Sequence, residues 1–184
     1  MKRILLIIAV ATACLTSKAQ MVAVNTDLLM DLAQTPSLGA ELVVGERSTV
    51  GLNVLFNRNP WGQTMRVLGA QPEYRYYFSG RPMHREFIGI GGLAASYEIT
   101  WAGKVYEGIG LGAGLTFGYV FSLSKRVNID CHAGFGIITY NHKEYYKGDN
   151  YDNDYSVDGV QRTNAKGYYL LPTRLGVSIT YILK

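Results

Sequence analysis

Cysteine, excess charge and long apolar runs are all scarce in this 184-residue chain, and each scarcity excludes something. The two cysteines are Cys14 and Cys131. Cys14 lies in a leader-like N-terminus, which leaves Cys131 alone in the mature chain and rules out an intrachain disulfide. Cys131 takes an outward position on its expected strand, where a buried or lipid-facing thiol is the ordinary reading rather than a nucleophile. No run beyond residue 19 is long and apolar enough for a transmembrane helix. The 18 basic residues exceed the 14 acidic ones by four. Lys2, Arg3 and Lys18 fall in the leader, which carries no acid, so 15 basic residues face 14 acidic ones afterwards. Such a balance gives no argument for nucleic acid as a partner.

The leader reads as a secretory signal over residues 1–19. Lys2 and Arg3 form its charged start, Ile4 to Ala13 an apolar core too short to span, and Ser17-Lys18-Ala19 a small-x-small cleavage site before Gln20. A rival processing route would lipidate Cys14 after Ala11-Thr12-Ala13, a box without the usual Leu three residues ahead of the cysteine. Residues 20–184 are then one domain.

What the chain does have is glycine and tyrosine, 21 and 14 residues, arranged with a period of two. The stretch Gly108–Leu123, GIGLGAGLTFGYVFSL, alternates an apolar face (Ile109, Leu111, Leu115, Phe117, Phe121) with a small or polar one (Gly108, Gly110, Gly112, Gly114, Thr116, Gly118). Successive strand side chains point to opposite faces. At sixteen residues the stretch far exceeds the usual strand of about five or six. A tilted strand crossing a bilayer needs about nine to eleven, apolar toward lipid and polar inside. Similar alternation predicts strands over Met21–Ala33, Leu38–Val44, Thr49–Phe56, Met65–Phe78, Arg85–Tyr97, Arg126–Tyr140 and Gly167–Leu183. Pro72 should open a bulge or gap in its strand, because it lacks a ladder donor. The register around Gly89–Gly92 is ambiguous.

The expectation is therefore all-β: an eight-stranded antiparallel up-and-down transmembrane β-barrel with a polar, side-chain-filled interior. Connections at 45–48, 79–84 and 124–125 are short, and those at 57–64, 98–106 and 141–166 long, as periplasmic turns and external loops are. That arrangement places the protein in the cell outer membrane with both termini periplasmic; the short turn at 34–37 is out of pattern. Trp61, Trp101, Tyr97 and Tyr140 fall near the outer rim, and Tyr77, Phe78, Phe87 and Phe121 near the inner one, as two aromatic belts.

The inward polar set is Asp27, Asp31, Glu41, Glu73, Arg75, Asp130, His132 and Arg174. An eight-stranded lumen holds little besides side chains, so these charges must pair. A structural ionic plug, with Arg75 and Arg174 bridged by carboxylates, is the plain reading; a narrow or gated pore is the sharper one. Ser178, His132 and a carboxylate have the residue types of an acyl hydrolase, but no motif supports catalysis. Asp154-x-Ser156-x-Asp158-Gly159 matches half of a calcium loop and fails at Ala165, where a bidentate Glu belongs. No metal or cofactor is expected. Trp61 and Trp101, with Tyr145, Tyr146, Tyr151 and Tyr155 in the longest loop, make a candidate contact surface, since tyrosine offers amphipathic area at low entropy cost.

Several segments carry a resemblance: Asn25-Thr26-Asp27-Leu28-Leu29-x-Asp31, Thr35-Pro36-x-Leu38-Gly39-x-Glu41, Asn59-Pro60-Trp61 and, most specific, Gln71-Pro72-Glu73-Tyr74-Arg75-Tyr76-Tyr77. Together they resemble a domain-of-unknown-function family of small outer-membrane proteins from Gram-negative gut anaerobes. The resemblance implies an OmpA- or OmpX-like barrel with no assigned activity, sometimes encoded near fimbrial components. The expected partners are outer-membrane lipid and a surface or fimbrial protein, and the expected state is a monomer. The chain ends Tyr181-Ile182-Leu183-Lys184 without the terminal aromatic such barrels use for assembly.

Overall fold

The computed structural model describes residues 21–147, 156–157, 160–161 and 165–183; the leader, Cys14, Tyr151, Tyr155, Asp154 and Asp158 lie outside them. Eight strands close into one antiparallel ring: β1 (Val22–Asp27), β2 (Ser37–Val43), β3 (Ser48–Arg58), β4 (Met65–Tyr77), β5 (Arg85–Trp101), β6 (Lys104–Ser122), β7 (Val127–Tyr146) and β10 (Ala165–Ile182). β1 completes the cylinder by pairing with β10, Ala23 opposite Ile182 and Asp27 opposite Ser178. A two-stranded hairpin, β8 (Ser156–Val157) with β9 (Val160–Gln161), lies between β7 and β10.

The period of two decides the faces. Leu111, Leu115, Phe117 and Phe121 of β6 are exposed on the outside, as are Leu68, Tyr74 and Tyr76 of β4. Their alternates, Thr116, Gln71, Glu73, Arg75 and Tyr77, are buried inside. The apolar face is bounded at both ends by charge. One edge is a cross-strand row running through Arg58, Arg66, Glu98, Glu107 and Lys143. The other is the set of connections holding Glu46, Arg47, Arg81, Lys125 and Arg126.

Four sequence expectations are corrected. The first strand ends at Asp27, not Ala33. Leu28 and Leu32, four apart, share a helical face as readily as a strand face, and Asp27 decides the matter: its carboxylate accepts from Leu29 N and Met30 N and caps a short helix, α1 (Leu28–Leu32). The β1–β2 connection is thereby residues 28–36, longer than the expected turn at 34–37. The expected loop at 98–106 is instead paired strand up to Trp101↔Lys104. Only Ala102 (φ 50°) and Gly103 (φ 82°) turn it, the two positive φ values of a type I′ hairpin. Tyr145 and Tyr146 also continue β7 rather than starting a loop. Finally, unbroken alternation over Gly167–Leu183 would face Tyr169 and Leu171 outward with Leu175 and Ile179, but a bulge between Pro172 and Arg174 shifts the register of β10. Below it Leu175 and Ile179 face out; above it Tyr169 and Leu171 pair with inward Ile138 and Gly136 and so turn inward, while Tyr168 and Leu170 face out. Pro72 leaves a gap between Ala70↔Ala94 and Glu73↔Gly91 with no change of register.

The wall is uneven. β5, β6, β7 and β10 have 17 to 20 residues, whereas β1 and β2 have six and seven. Closure depends on strands lying very close at β6–β7. Gly114 and Gly136 pair directly, and a Cβ on Gly136 would stand 2.2 Å from Ala113 O and 2.5 Å from Gly114 Cα. Gly136→Val should therefore cost at least the 1–3 kcal/mol typical of overpacking, because the obstacle is backbone. Gly51→Ala, whose new Cβ has nothing nearer than 3.5 Å, should be nearly neutral. Urea unfolding of the two variants in detergent micelles, read by far-UV circular dichroism, checks the contrast.

Candidate functional site

The interior is stacked in three layers. At the end bearing the termini, Tyr77, Phe87 and Val120 form a small apolar cluster. Met83 from the β4–β5 connection folds in beside them, 3 % exposed, and its carbonyl accepts from Asn128 Nδ2 at 3.0 Å. Tyr77 and Phe87 thus seal the lumen instead of joining an external aromatic belt; Phe78 and Phe121 are the exposed pair.

The middle layer is ionic, and its spine is the alternation Gln71, Glu73, Arg75, Tyr77 on β4. Arg75 Nε donates to Glu73 Oε2 at 2.7 Å, and Nη1 donates to Asp130 Oδ2 at 2.6 Å and lies 3.6 Å from Glu41 Oε2. Its guanidinium also sits 4.4 Å from the Phe87 ring centre. Arg174 reaches across from β10 to donate to the same Glu73 oxygen, and Thr116 donates to the other. Glu41 Oε1 accepts from Thr49 at 2.5 Å and from Tyr77 OH at 2.8 Å. Gln71 Nε2 donates across the lumen to the carbonyl of Thr173, the bulge residue, at 3.4 Å. His132 lies between two carboxylates, Nε2 3.3 Å from Asp27 Oδ2 and Nδ1 3.6 Å from Asp130 Oδ1. Space for that contact depends on Gly176, where a Cβ would fall 1.8 Å from Asp27 Oδ2.

Seven of the eight expected network residues, Asp27, Glu41, Glu73, Arg75, Asp130, His132 and Arg174, are brought together here. Asp31 is not. It sits on α1, accepts from Thr26 Oγ1 and Ser37 N, and ties the helix to the start of β2. The voids beside Glu73 and Arg174 are about 10 Å³ each, room for a single water. Ser178 and His132 share the layer, but both ring nitrogens of His132 already face carboxylates and its side chain is wholly buried.

The third layer, at the opposite mouth, is aromatic. Tyr97 OH lies 2.7 Å from His142 Nδ1, and His142 Nε2 lies 2.9 Å from Glu144 Oε1. Tyr140 stacks on both His142 and Tyr169. Lys104 pairs with Glu144 at 2.5 Å. Hydrogen bonds from Lys104 and then His142 hold the Glu144 carboxyl below its ordinary value, and the bond to Glu144 raises the Lys104 ammonium. The sequence reading missed this group because it ended β7 at Tyr140; the inward spacing Tyr140, His142, Glu144 was the available signal. Trp61 and Trp101 stand at the same mouth, both about 70 % exposed.

Comparison with known proteins gives a family and no activity. A family model described as protein of unknown function (DUF3575) matches residues 5–183, and the chain belongs to that family. No curated protein and no solved structure matches it.

Replacing Arg75 with Met removes the guanidinium that faces Glu41, Glu73 and Asp130, leaving Glu73 to Arg174 and Asp130 to His132, and should destabilise by about 3–5 kcal/mol, the usual penalty for breaking a buried ion pair. Adding Asp130→Asn should recover part of that loss. Equilibrium urea unfolding in micelles across this double-mutant cycle measures both; an Arg75→Met variant as stable as the parent would show that the layer does not hold the barrel together.

Proposed function

We propose that this chain is a non-enzymatic barrel of the outer membrane of a Gram-negative cell, exported behind a cleaved leader, monomeric, with both termini in the periplasm, working through contacts at its external mouth. One observation carries the reading: between two charged edges the apolar residues face outward around the ring, while the charged residues of that stretch are packed inside. Soluble monomers rarely expose apolar patches beyond a few hundred Å², and here exposed leucines, isoleucines and aromatics recur on the outside of β2 to β7 and β10. The band has the right height. From Leu68 of β4 to Phe78, just past its end, the outer face is without charge; ten residues at about 3.3 Å rise, tilted by ~40°, span ~25 Å, the apolar thickness of such barrels. Charged residues lie beyond both edges of it.

The sealed lumen favours contact over transport. A narrow channel would have to pass the Arg75–Glu73–Arg174 layer and then the Tyr77–Phe87–Met83 stopper. The buried and doubly faced His132 likewise favours a structural role over acyl hydrolysis. A fimbrial or other surface protein is the macromolecular partner suggested by the family resemblance.

In a Cys131→Ser background, a membrane-impermeant maleimide should label Gln63→Cys in intact cells, and Gly80→Cys after the outer membrane is permeabilised. The reverse pattern would invert the topology, and labelling of both in intact cells would remove the membrane assignment. In planar bilayers the parent protein should give no steady conductance; stable unitary currents that change with Arg75→Ala would favour the channel.

A further inference from the structure

The two tryptophans of the chain, 40 positions apart in sequence, flank one cleft. It has a volume of about 340 Å³, within the roughly 300–1,000 Å³ of small-molecule sites. It lies at the mouth, between the end of α1, the β3–β4 connection and the β5–β6 hairpin. Its walls are apolar: Trp61, Trp101, Ile99, Met65 and Pro60. Its polar groups are Thr35, Asn57, Gln63, Thr64 and Thr100, all neutral. No lining residue is charged, although Arg58, Arg66, Glu98 and Lys104 are near neighbours in the chain.

Two further features mark the cleft as built rather than incidental. Asn57 is 2 % exposed; its Nδ2 donates to Thr35 Oγ1 at 2.6 Å, while its Oδ1 is buried with no partner among the described residues. A buried polar atom left unpaired calls for an explanation, and an absent ligand or water is one. The backbone is also held in unusual conformations around it. Gln34, Asn59 and Trp61 have φ between 52° and 54°, a region uncommon for non-glycine residues and an outlier for bulky ones. Gln34 fixes one of them, its Oε1 accepting from Trp61 N at 2.7 Å. Strain of this kind gathers where a ligand-facing geometry must be held.

We propose that this cleft binds a neutral oligosaccharide, with the indoles of Trp61 and Trp101 as stacking platforms and the carboxamides and hydroxyls of Asn57, Gln63, Thr35 and Thr100 as partners for the sugar hydroxyls. A pyranose ring offers an apolar C–H face and a rim of donors and acceptors, which matches aromatic walls interleaved with neutral hydrogen-bonding groups. An anionic ligand would find no cation in the lining, and a lipid chain would leave the amides unpaired. The inference rests on the proposed function to the extent that this mouth faces the cell exterior, where glycans are met.

Because both tryptophans are in the cleft, intrinsic fluorescence reads the site directly. The protein, refolded into phosphatidylcholine vesicles and separately held in detergent micelles, is titrated with maltohexaose, cellohexaose, mannohexaose and chitohexaose. At least one should give a saturable spectral shift. Trp61→Ala, read through Trp101, and Trp101→Ala, read through Trp61, should each weaken it tenfold or more. Gln63→Ala, an exposed change that leaves the fold alone, should weaken it several-fold. No shift with any of the four sugars, or affinities untouched by the three variants, overturns the proposal. So does strong quenching of both tryptophans by brominated phosphatidylcholine, which would make them anchors in the lipid interface. Failure to insert into vesicles would instead sink the membrane reading, and the titration in micelles would still decide the cleft.

Discussion

A closed ring of eight strands encloses a space so narrow that its contents must be side chains, and here those side chains are charged. Four carboxylates, two guanidiniums and an imidazole occupy the middle of the lumen, where water is all but excluded. Each charge left unpaired would cost several kcal/mol, so the strands carrying these residues can close in few registers. Arg75 is the centre of that constraint because it faces Glu41 and Asp130 from two other strands and Glu73 from its own. A one-residue slip of β4 would carry Arg75 to the outside and put Tyr74 or Tyr76 among the carboxylates. The ionic layer thus does for this barrel what an apolar core does for a soluble sheet: it makes one pairing much better than the alternatives.

That role explains which parts of the fold were legible. The alternation Gln71, Glu73, Arg75, Tyr77 against Pro72, Tyr74, Tyr76, Phe78 is a strand with opposite chemistry on its two faces, and its period shows at once. The same holds for β6, where glycines alternate with leucines and aromatics. The signal fades wherever both faces meet the same surroundings. Above the row of Glu98, Glu107 and Lys143, polar residues occur on both faces, so β5, β6 and β7 looked like loops when they are paired strand to Trp101, Lys104 and Tyr146. At the other extreme, Tyr168 to Leu171 are apolar on both faces, and nothing in their pattern reveals the bulge that rotates them.

Two of the misreadings concern competition between local and long-range order. Leu28 and Leu32 satisfy a helix as well as a strand, and the cap from Asp27 tips the balance. Asp27 also faces His132 across the interior, so one carboxylate ends β1, starts α1 and closes the ionic layer against β7. Asp31, two positions of the same apparent period further on, is lost to that layer because the chain has already turned. A list of inward polar residues drawn from alternation alone cannot see where the alternation stops.

The uneven wall connects the interior to the mouth. β1 and β2 are short because the chain leaves them for α1 and the β1–β2 connection, whereas β5, β6 and β7 continue upward. The lumen therefore opens obliquely, with Tyr97, Tyr140, His142 and Tyr169 on the tall side and Gln34, Thr35 and the Pro60–Gly62 turn on the low side. Gln34 grips Trp61 across that low side, and Asn57 grips Thr35, so the connection that displaced the end of the first strand is also the support of the tryptophan cleft. Beneath the cleft lie the ionic layer, with voids of about 10 Å³ each, and the Tyr77–Phe87 cluster. On the proposed reading, recognition at this mouth is completed there, by surfaces held from below, and the packing that fills the lumen is the same packing that would preorganise a shallow site for binding.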